Sequence, residues 1–373
     1  MIFPTGYSAN VGLIAGLMRS GDLIVADQYA HASVVDGMIL SKAQSRFFRH
    51  NKASDLDRKL KGFDGKKLVV VEGVYSMDGD LVPLPEILEV CRAHGARLLI
   101  DEAHSTFLFG EKGRGVAEHF GLDDEVDIHL GTFSKSLGGQ GGFVAGSAGL
   151  INYLRGFSRS RFFSCALAPP VVAGLIKALE LVEKEPELRT QLWANVAFMQ
   201  DRLRESGVDI GDCESQVVPI MIRNDATIFD IGEQLLREGV FINPVKYPAV
   251  GKHKSRFRMS ISAAHSKEEL EEGAEIIVRV LERNGRHEVQ RDPVGFQRVD
   301  LVLALVVRHD DHGLVAQRVA DDRQADAGVA GRPLDDRAAG FQQALAFGVA
   351  NDAEGRAVLD GTSRIHELGL AEN

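Results

Sequence analysis

Short apolar runs recur through the first 165 positions of the chain, each closed by polar or glycine-containing punctuation. "DLIVAD" (22–27), "KLVVVEG" (67–73), "ARLLIDEAH" (96–104) and "VDIHLGTFSK" (126–135) are rich in Val, Ile and Leu and do not alternate. Continuous apolar runs of this length predict strands buried on both faces. Between two of them, "LPEILEVCRAHG" sets Leu84, Ile87, Leu88 and Cys91 at helical spacing, with Gly95 as a C-terminal cap. Strand–helix–strand at this spacing predicts an α/β domain with a mainly parallel sheet covered by helices. In such sheets ligands bind outside the carboxyl ends of the strands. Polar residues gather at those ends: Asp27 and His31, Glu72 and Ser76, Asp101 and His104, Thr132 and Lys135.

The pattern then changes. A helical stretch over about 170–205 leads to "VVPIMIR" (217–223), "GVFINPV" (239–245) and "SRFRMSIS" (255–262), which alternate like strands of a half-exposed sheet. "HSKEELEEGAEIIVRVLER" predicts a helix opened by a capping box, Ser266 with Glu269, with Leu270, Ala274, Ile277 and Leu281 on one face. The expected organisation is a large α/β domain over 1–170, linking helices over 171–205 and a small α+β domain over 206–284. Lys267 is the last lysine, and 285–373 is an atypical Ala/Arg/Asp/Gly/Val mixture without period. That tail reads as a disordered extension or as out-of-frame translation, the second being favoured.

Composition narrows the partners. The 373 residues are 45% hydrophobic and 26% charged, ordinary for a globular protein with a sizeable core. A net charge of -10 disfavours nucleic acid and anionic membranes, which need a basic footprint. Cys91, Cys165 and Cys213 form no CxxC pair, so neither a disulfide framework nor a metal site is expected. No apolar run is long enough for a transmembrane segment and no secretory leader opens the chain, so the expected compartment is cytoplasmic.

The candidate chemistry centres on Lys135 in "GTFSKSLGGQGGF". A phosphate-binding P-loop needs glycine directly before its lysine, and Ser134 stands there instead. A lysine just beyond a buried strand, beside the hydroxyls of Thr132 and Ser134, suits imine formation with an aldehyde cofactor whose phosphate is held nearby. Pyridoxal phosphate needs further parts, and upstream residues offer them. "TGYSAN" opens a helix at Gly6–Tyr7, whose amides and dipole favour a phosphate. Asp101, closing an apolar strand, is a fitting partner for a protonated pyridine nitrogen; it reads equally as a cap or half of a buried ion pair. His104 reaches the same pocket and His31 suits stacking on a ring, although either alone reads more simply as structural.

Taken together, "TGYSAN", "HAS", "EGVYSMDGDLVPL", "DEAHSTFLFGEKGRG", "GTFSKS" and "RFRMSISAAHSKEEL" resemble, in order and spacing, the α-oxoamine synthases over roughly residues 1–284. This is a family of fold-type I, pyridoxal-phosphate-dependent enzymes within the aminotransferase class I/II superfamily. It includes 8-amino-7-oxononanoate synthase, 2-amino-3-ketobutyrate CoA ligase and serine palmitoyltransferase.

The resemblance implies a PLP-dependent acyltransferase that condenses glycine, alanine or serine with an acyl-CoA to give an aminoketone, usually with decarboxylation. It implies catalytic roles for Lys135, His31 and Asp101: cofactor attachment and proton transfer, ring stacking, and contact with the ring nitrogen. It also implies cofactor contacts at Gly6, Tyr7, Ser76, His104, Thr132 and Ser164, and substrate contacts at Arg258 and Ser262. Ser164 corresponds to a residue reaching the phosphate across a homodimer with a shared active site, although Ala166 departs from a second hydroxyl residue usual there. Family members carry a lid and an early helix before the glycine loop. Met1 falls almost on that loop, so the chain reads as truncated and possession of activity is open. The alternatives are an aminotransferase of the same fold and an inactive, cofactor-free partner subunit.

Overall fold

A computed structural model describes residues 1–285 and two short strands, 350–351 and 357–358. The chain separates into two compact units, Met1–Val299 and Asp300–Asn373. In the first, β1 (Ile2–Phe3), α1 (Gly6–Leu17), β2 (Leu23–Asp27), α2 (Ala32–Ser41), β3 (Gln44–Phe48), α3 (Ala53–Leu60) and β4 (Lys67–Glu72) come in turn. They are followed by α4 (Leu84–Ala93), β5 (Arg97–Asp101), α5 (Val116–His119), β6 (Ile128–Thr132) and β7 (Gly142–Gly146). Four helices follow: α6 (Ala148–Phe157), α7 (Arg159–Phe162), α8 (Pro169–Lys184) and α9 (Glu187–Glu205). A second, smaller group comprises β8 (Val217–Met221), α10 (Ile228–Arg237), β9 (Asn243–Val245), β10 (Arg256–Ser260) and α11 (Lys267–Arg283).

The main sheet has seven strands in the order β1-β7-β6-β5-β4-β2-β3. The five from β6 to β3 run parallel; at one edge β7 pairs antiparallel with β6, and β1 pairs antiparallel with β7, returning to the direction of the five. Strand alternation splits its residues between two cores. Leu23, Val25, Val69, Val71, Leu98 and Ile100 pack with Leu56 and Leu60 of α3 and Ile87 and Cys91 of α4. Ile24, Ala26, Leu68, Val70, Leu99 and Leu130 pack with Leu13 and Ile14 of α1, Val34 and Met38 of α2, and Leu154 of α6. Burial on both faces is why these strands read as unbroken apolar runs. Each such side chain contributes about 1.5–3 kcal/mol of transfer free energy.

Of the local expectations, α4 buries Leu84, Ile87, Leu88 and Cys91, and Gly95 follows it at φ +60. The capping box of α11 forms between Ser266 and Glu269. The helical stretch over 170–205 is broken, because α8 ends before Pro186 and α9 begins after it. The strand expected over 239–245 shrinks to Asn243–Val245, since Gly239 closes α10 at φ +100. It pairs antiparallel with β10, which also pairs with β8. The tail read as disordered or out-of-frame lies outside the described residues except for Gly285 and the antiparallel pair β11 (Ala350–Asn351) and β12 (Ala357–Val358).

One buried charge cluster fixes the segment after β2. His50 sits between two carboxylates, Nδ1 at 3.0 Å from Asp27 Oδ1 and Nε2 at 2.7 Å from Asp80 Oδ2. Asp27 is wholly buried, and the Tyr29 ring stacks on His50 at 4.4 Å. Burial by itself lowers the imidazole pKa, but the two carboxylates outweigh it and raise it to about 9. The folded pKa thus lies above the unfolded value near 6.5, so this contribution is complete below pH 6.5 and disappears as pH rises through 9. Unfolding measured in urea at a series of pH values is expected to show on the order of 3 kcal/mol of stability lost over that window. A His50→Gln variant should lack that pH dependence; an unchanged slope in the variant refutes the assignment.

Candidate active site

The carboxyl ends of β4, β5 and β6 meet the N-terminus of α1 at one edge of the sheet. Glu72 and Asp101 are register partners on neighbouring parallel strands, so their side chains emerge side by side. Asp101 is 5% exposed; its Oδ1 accepts the Ala103 N–H at 2.9 Å and its Oδ2 accepts from Asn10 Nδ2 at 2.6 Å. Glu72 is equally withdrawn, and its Oε1 accepts the backbone N–H of His31 at 2.5 Å. Burial first, and then the charge of Asp101, push the Glu72 carboxyl well above the usual carboxylate range.

Lys135 lies three residues beyond β6. Its loop turns back tightly, with Gly138 N–H donating to the Lys135 carbonyl at 3.0 Å and Gly139 N–H to that of Phe133 at 2.9 Å. Ser136 anchors the same loop by donating to the Thr106 carbonyl at 3.1 Å. Lys135 is exposed as a whole residue, so it stands in an open cleft and not in a sealed cavity. The cleft walls nevertheless strip water from its ammonium and lower the pKa to about 8, against the opposing pull of Asp101 and Glu72. No carboxylate of the described residues forms an ion pair with it.

The two histidines share this field. Burial drives His104 well below its ordinary pKa, helped by the charges of Lys135, Arg258 and His31. Burial also lowers His31, against the upward pull of Asp101 and with the charge of Lys135. Arg258, on β10, is half-buried, and among the described residues its buried Nε has no hydrogen-bond partner, leaving one guanidinium donor unsatisfied. Thr132 is buried, with Oγ1 donating to the Gly141 carbonyl at 3.0 Å and lying 2.8 Å from Ser134 Oγ. Gly6 opens α1 directly against it: a Cβ at Gly6 would come within 3.0 Å of both Cβ and Oγ1 of Thr132. A side chain at Gly6 would be tighter against Thr132 than ordinary contact, so glycine suits the close approach of the first turn of α1 to the end of β6. The first-turn amides of Gly6 and Tyr7 precede any intrahelical acceptor and point outward as donors.

Lys135, Asp101, His104, His31 and Arg258 are therefore within electrostatic reach of one another, and Gly6 meets Thr132. The other expected residues are less engaged. Tyr7 is exposed, its hydroxyl donating to Asp36 and its ring edge-on to His31 at 6.3 Å. Ser76 is half-buried in the turn after β4. Ser164 is exposed beyond α7, and Ser262 is exposed beyond β10, where its hydroxyl accepts the Ala264 N–H. None of these three serine hydroxyls bonds to Lys135 or Asp101. The residues that escaped sequence reasoning are Asn10 and Ser33; Glu72 was placed at its strand end there but given no role. Asn10 did carry a signal, being a polar residue on the face of α1 that buries Leu13 and Ile14.

Among the described residues no helix is long and apolar enough to cross a membrane. The family described as aminotransferase class I and II matches residues 1–277. A serine palmitoyltransferase of Sphingobacterium spiritivorum is 43% identical over 285 residues, which is 76% of this chain and 71% of that protein. An 8-amino-7-oxononanoate synthase of Symbiobacterium thermophilum is 39% identical, covering 75% and 72% respectively. Among solved structures, the Sphingomonas wittichii serine palmitoyltransferase superposes with a TM-score of 0.75 at 36% identity, over 77% of this chain and 73% of the other. A serine palmitoyltransferase from S. paucimobilis with a bound PLP–myriocin aldimine gives a TM-score of 0.75 at 35% identity, with the same coverage. A seven-stranded, mainly parallel sheet, a lysine and an aspartate at its carboxyl edge and these relatives agree: the chain belongs to the aminotransferase class I and II family, on its α-oxoamine synthase branch.

Proposed function

We propose that the chain is a pyridoxal-phosphate-dependent acyltransferase that joins a small amino acid (glycine, alanine or serine) to the acyl group of an acyl-CoA. The product is an aminoketone, formed in most such reactions with loss of carbon dioxide. The observation that carries this reading is that Lys135, its pKa lowered to about 8, and the buried Asp101 follow neighbouring strand ends within electrostatic reach of each other.

The residues fit the cofactor. A nucleophilic amine, a buried carboxylate opposite it, a glycine–threonine junction at a helix N-terminus and an unpartnered guanidinium Nε match an aldehyde, a pyridine nitrogen, a phosphate and a substrate carboxylate in turn. When bound, pyridoxal phosphate supplies an electron sink for negative charge at the amino-acid Cα. Lys135 would hold the cofactor covalently, and its Nζ would be the base that accepts the Cα proton. Asp101 would keep the ring nitrogen protonated. His31 would stack on the cofactor ring and His104 would serve its ring oxygen. The amides of Gly6 and Tyr7, with Ser76 and Thr132, would hold the phosphate. Arg258 orients the substrate carboxylate and Ser262 its polar end. Ser164 completes the phosphate site from the second subunit of a homodimer, in a cytoplasmic enzyme.

The test is thiol release from an acyl-CoA by the cofactor-loaded chain, with glycine, alanine and serine supplied in turn. Release that requires one of the three supports the proposal. Keto-acid exchange without thiol release indicates an aminotransferase, and cofactor binding with neither activity indicates an inactive partner subunit; both outcomes overturn it.

A further inference from the structure

An unbroken run of hydrogen bonds links His31 to Asp101 through two residues that have no role in the scheme above. Asn10 Nδ2 lies 2.6 Å from Asp101 Oδ2 and 3.0 Å from Ser33 Oγ. Ser33 Oγ lies 2.7 Å from His31 Nδ1, and the Ser33 backbone N–H donates to the same nitrogen at 3.2 Å. Asn10 is 2% exposed, Ser33 1% and Asp101 5%, so water does not compete for the two contacts of Asn10, while His31 at the far end of the run is exposed.

Donor and acceptor follow at every link. A carboxylate only accepts, so the Asn10 amide must turn its nitrogen toward Asp101. The second hydrogen of that nitrogen points at Ser33 Oγ, which therefore accepts and has its own hydroxyl hydrogen free for His31 Nδ1. A backbone N–H also only donates. Two donors thus converge on Nδ1, which must carry a lone pair, and the ring proton resides on Nε2.

We infer that Ser33 and Asn10 are positioning residues that lock His31 as the neutral Nε2–H tautomer and tie it to Asp101. The groups around the ring are Asp101, Lys135, His104, the edge of Tyr7 and the Glu72 carboxyl on its backbone. Burial and Lys135 favour the neutral form, and Asp101 alone opposes it. Resting on the proposed function, the lock has a use: a histidinium stacked on a protonated pyridine would repel the proton that Asp101 is there to hold, and a neutral ring does not. Among the described residues Nε2 has no protein partner, so the lock also leaves it as a donor facing the cleft.

The tautomer is read directly, without cofactor or turnover. Proton–nitrogen correlation spectra of the full chain labelled with 15N-histidine, with His31 assigned by loss of its signals in His31→Gln, are expected to show a pyridine-type Nδ1 and a pyrrole-type Nε2 at neutral pH. In Ser33→Ala one of the two donors is lost, and the His31 titration midpoint is expected to rise by about 0.5–1 unit. Asn10→Ala, which releases the Ser33 hydroxyl, should move it in the same direction. A protonated Nδ1 in the unmodified chain overturns the inference, even where a variant fails to fold. So does an unchanged midpoint in a folded Ser33→Ala. Because these spectra need no cofactor, their failure leaves the acyl-CoA assay to stand or fall separately.

Discussion

Lys135→Ala is expected to lose covalent cofactor attachment completely and to lower amino-acid-dependent thiol release by about 10³-fold or more. The reason lies in the cleft and not in the lysine itself. At its ordinary pKa of 10.5 almost no amine is neutral at pH 7. At about 8, roughly a tenth is neutral, some 300-fold more. Cofactor capture, followed by absorbance after mixing, should accordingly rise with pH to a midpoint near 8 and not near 10.5. Lys135→Arg keeps the charge but cannot condense with an aldehyde, and should be as inactive as alanine. Borohydride reduction followed by mass analysis of the peptide provides the direct check. Undiminished turnover in the alanine variant, or the reduced cofactor on another lysine, refutes the assignment.

Asp101→Asn is expected to keep the fold but to lower thiol release by about 10²–10⁴-fold. An amide cannot hold the ring nitrogen protonated, so negative charge at Cα is poorly absorbed. The structure adds a local cost. Asp101 accepts from Asn10 Nδ2 on one oxygen and from the Ala103 N–H on the other. An asparagine must turn its own NH₂ against one of those donors, costing about 1–3 kcal/mol of stability. Urea unfolding separates that loss from the catalytic one. A variant that retains most of its activity with cofactor bound would sink the assigned role.

The central strands and the convergence of polar residues at their ends were legible because both are local. A strand buried on two faces must be apolar throughout, and it must turn polar where it leaves the sheet. The edge strands were not legible. β3, "QSRFF", is half-exposed, and β7, "GFVAG", is short and glycine-flanked, so neither stands out from a loop. Its antiparallel addition beside β6 depends on which edge is free, which no local window records.

The same distinction runs through the site. Lys135, Asp101 and His104 each sit in motifs whose order and spacing point to one chemistry. Asn10 sits among apolar helix residues, and its partner Asp101 is 91 positions away; Glu72 and His31 are 41 apart. Nothing near either residue in the chain announces the pairing.

By itself, the sequence determined the alternating α/β architecture, the family and the residues able to carry covalent and acid–base chemistry, because periodicity and residue type are properties of short segments. Only the tertiary structure decided how reactive those residues are and who holds them. The lowered pKa of Lys135, the carboxylate clamp on His50 and the relay from Asp101 to His31 arise from desolvation and from contacts between distant segments, which exist only once the strands are side by side.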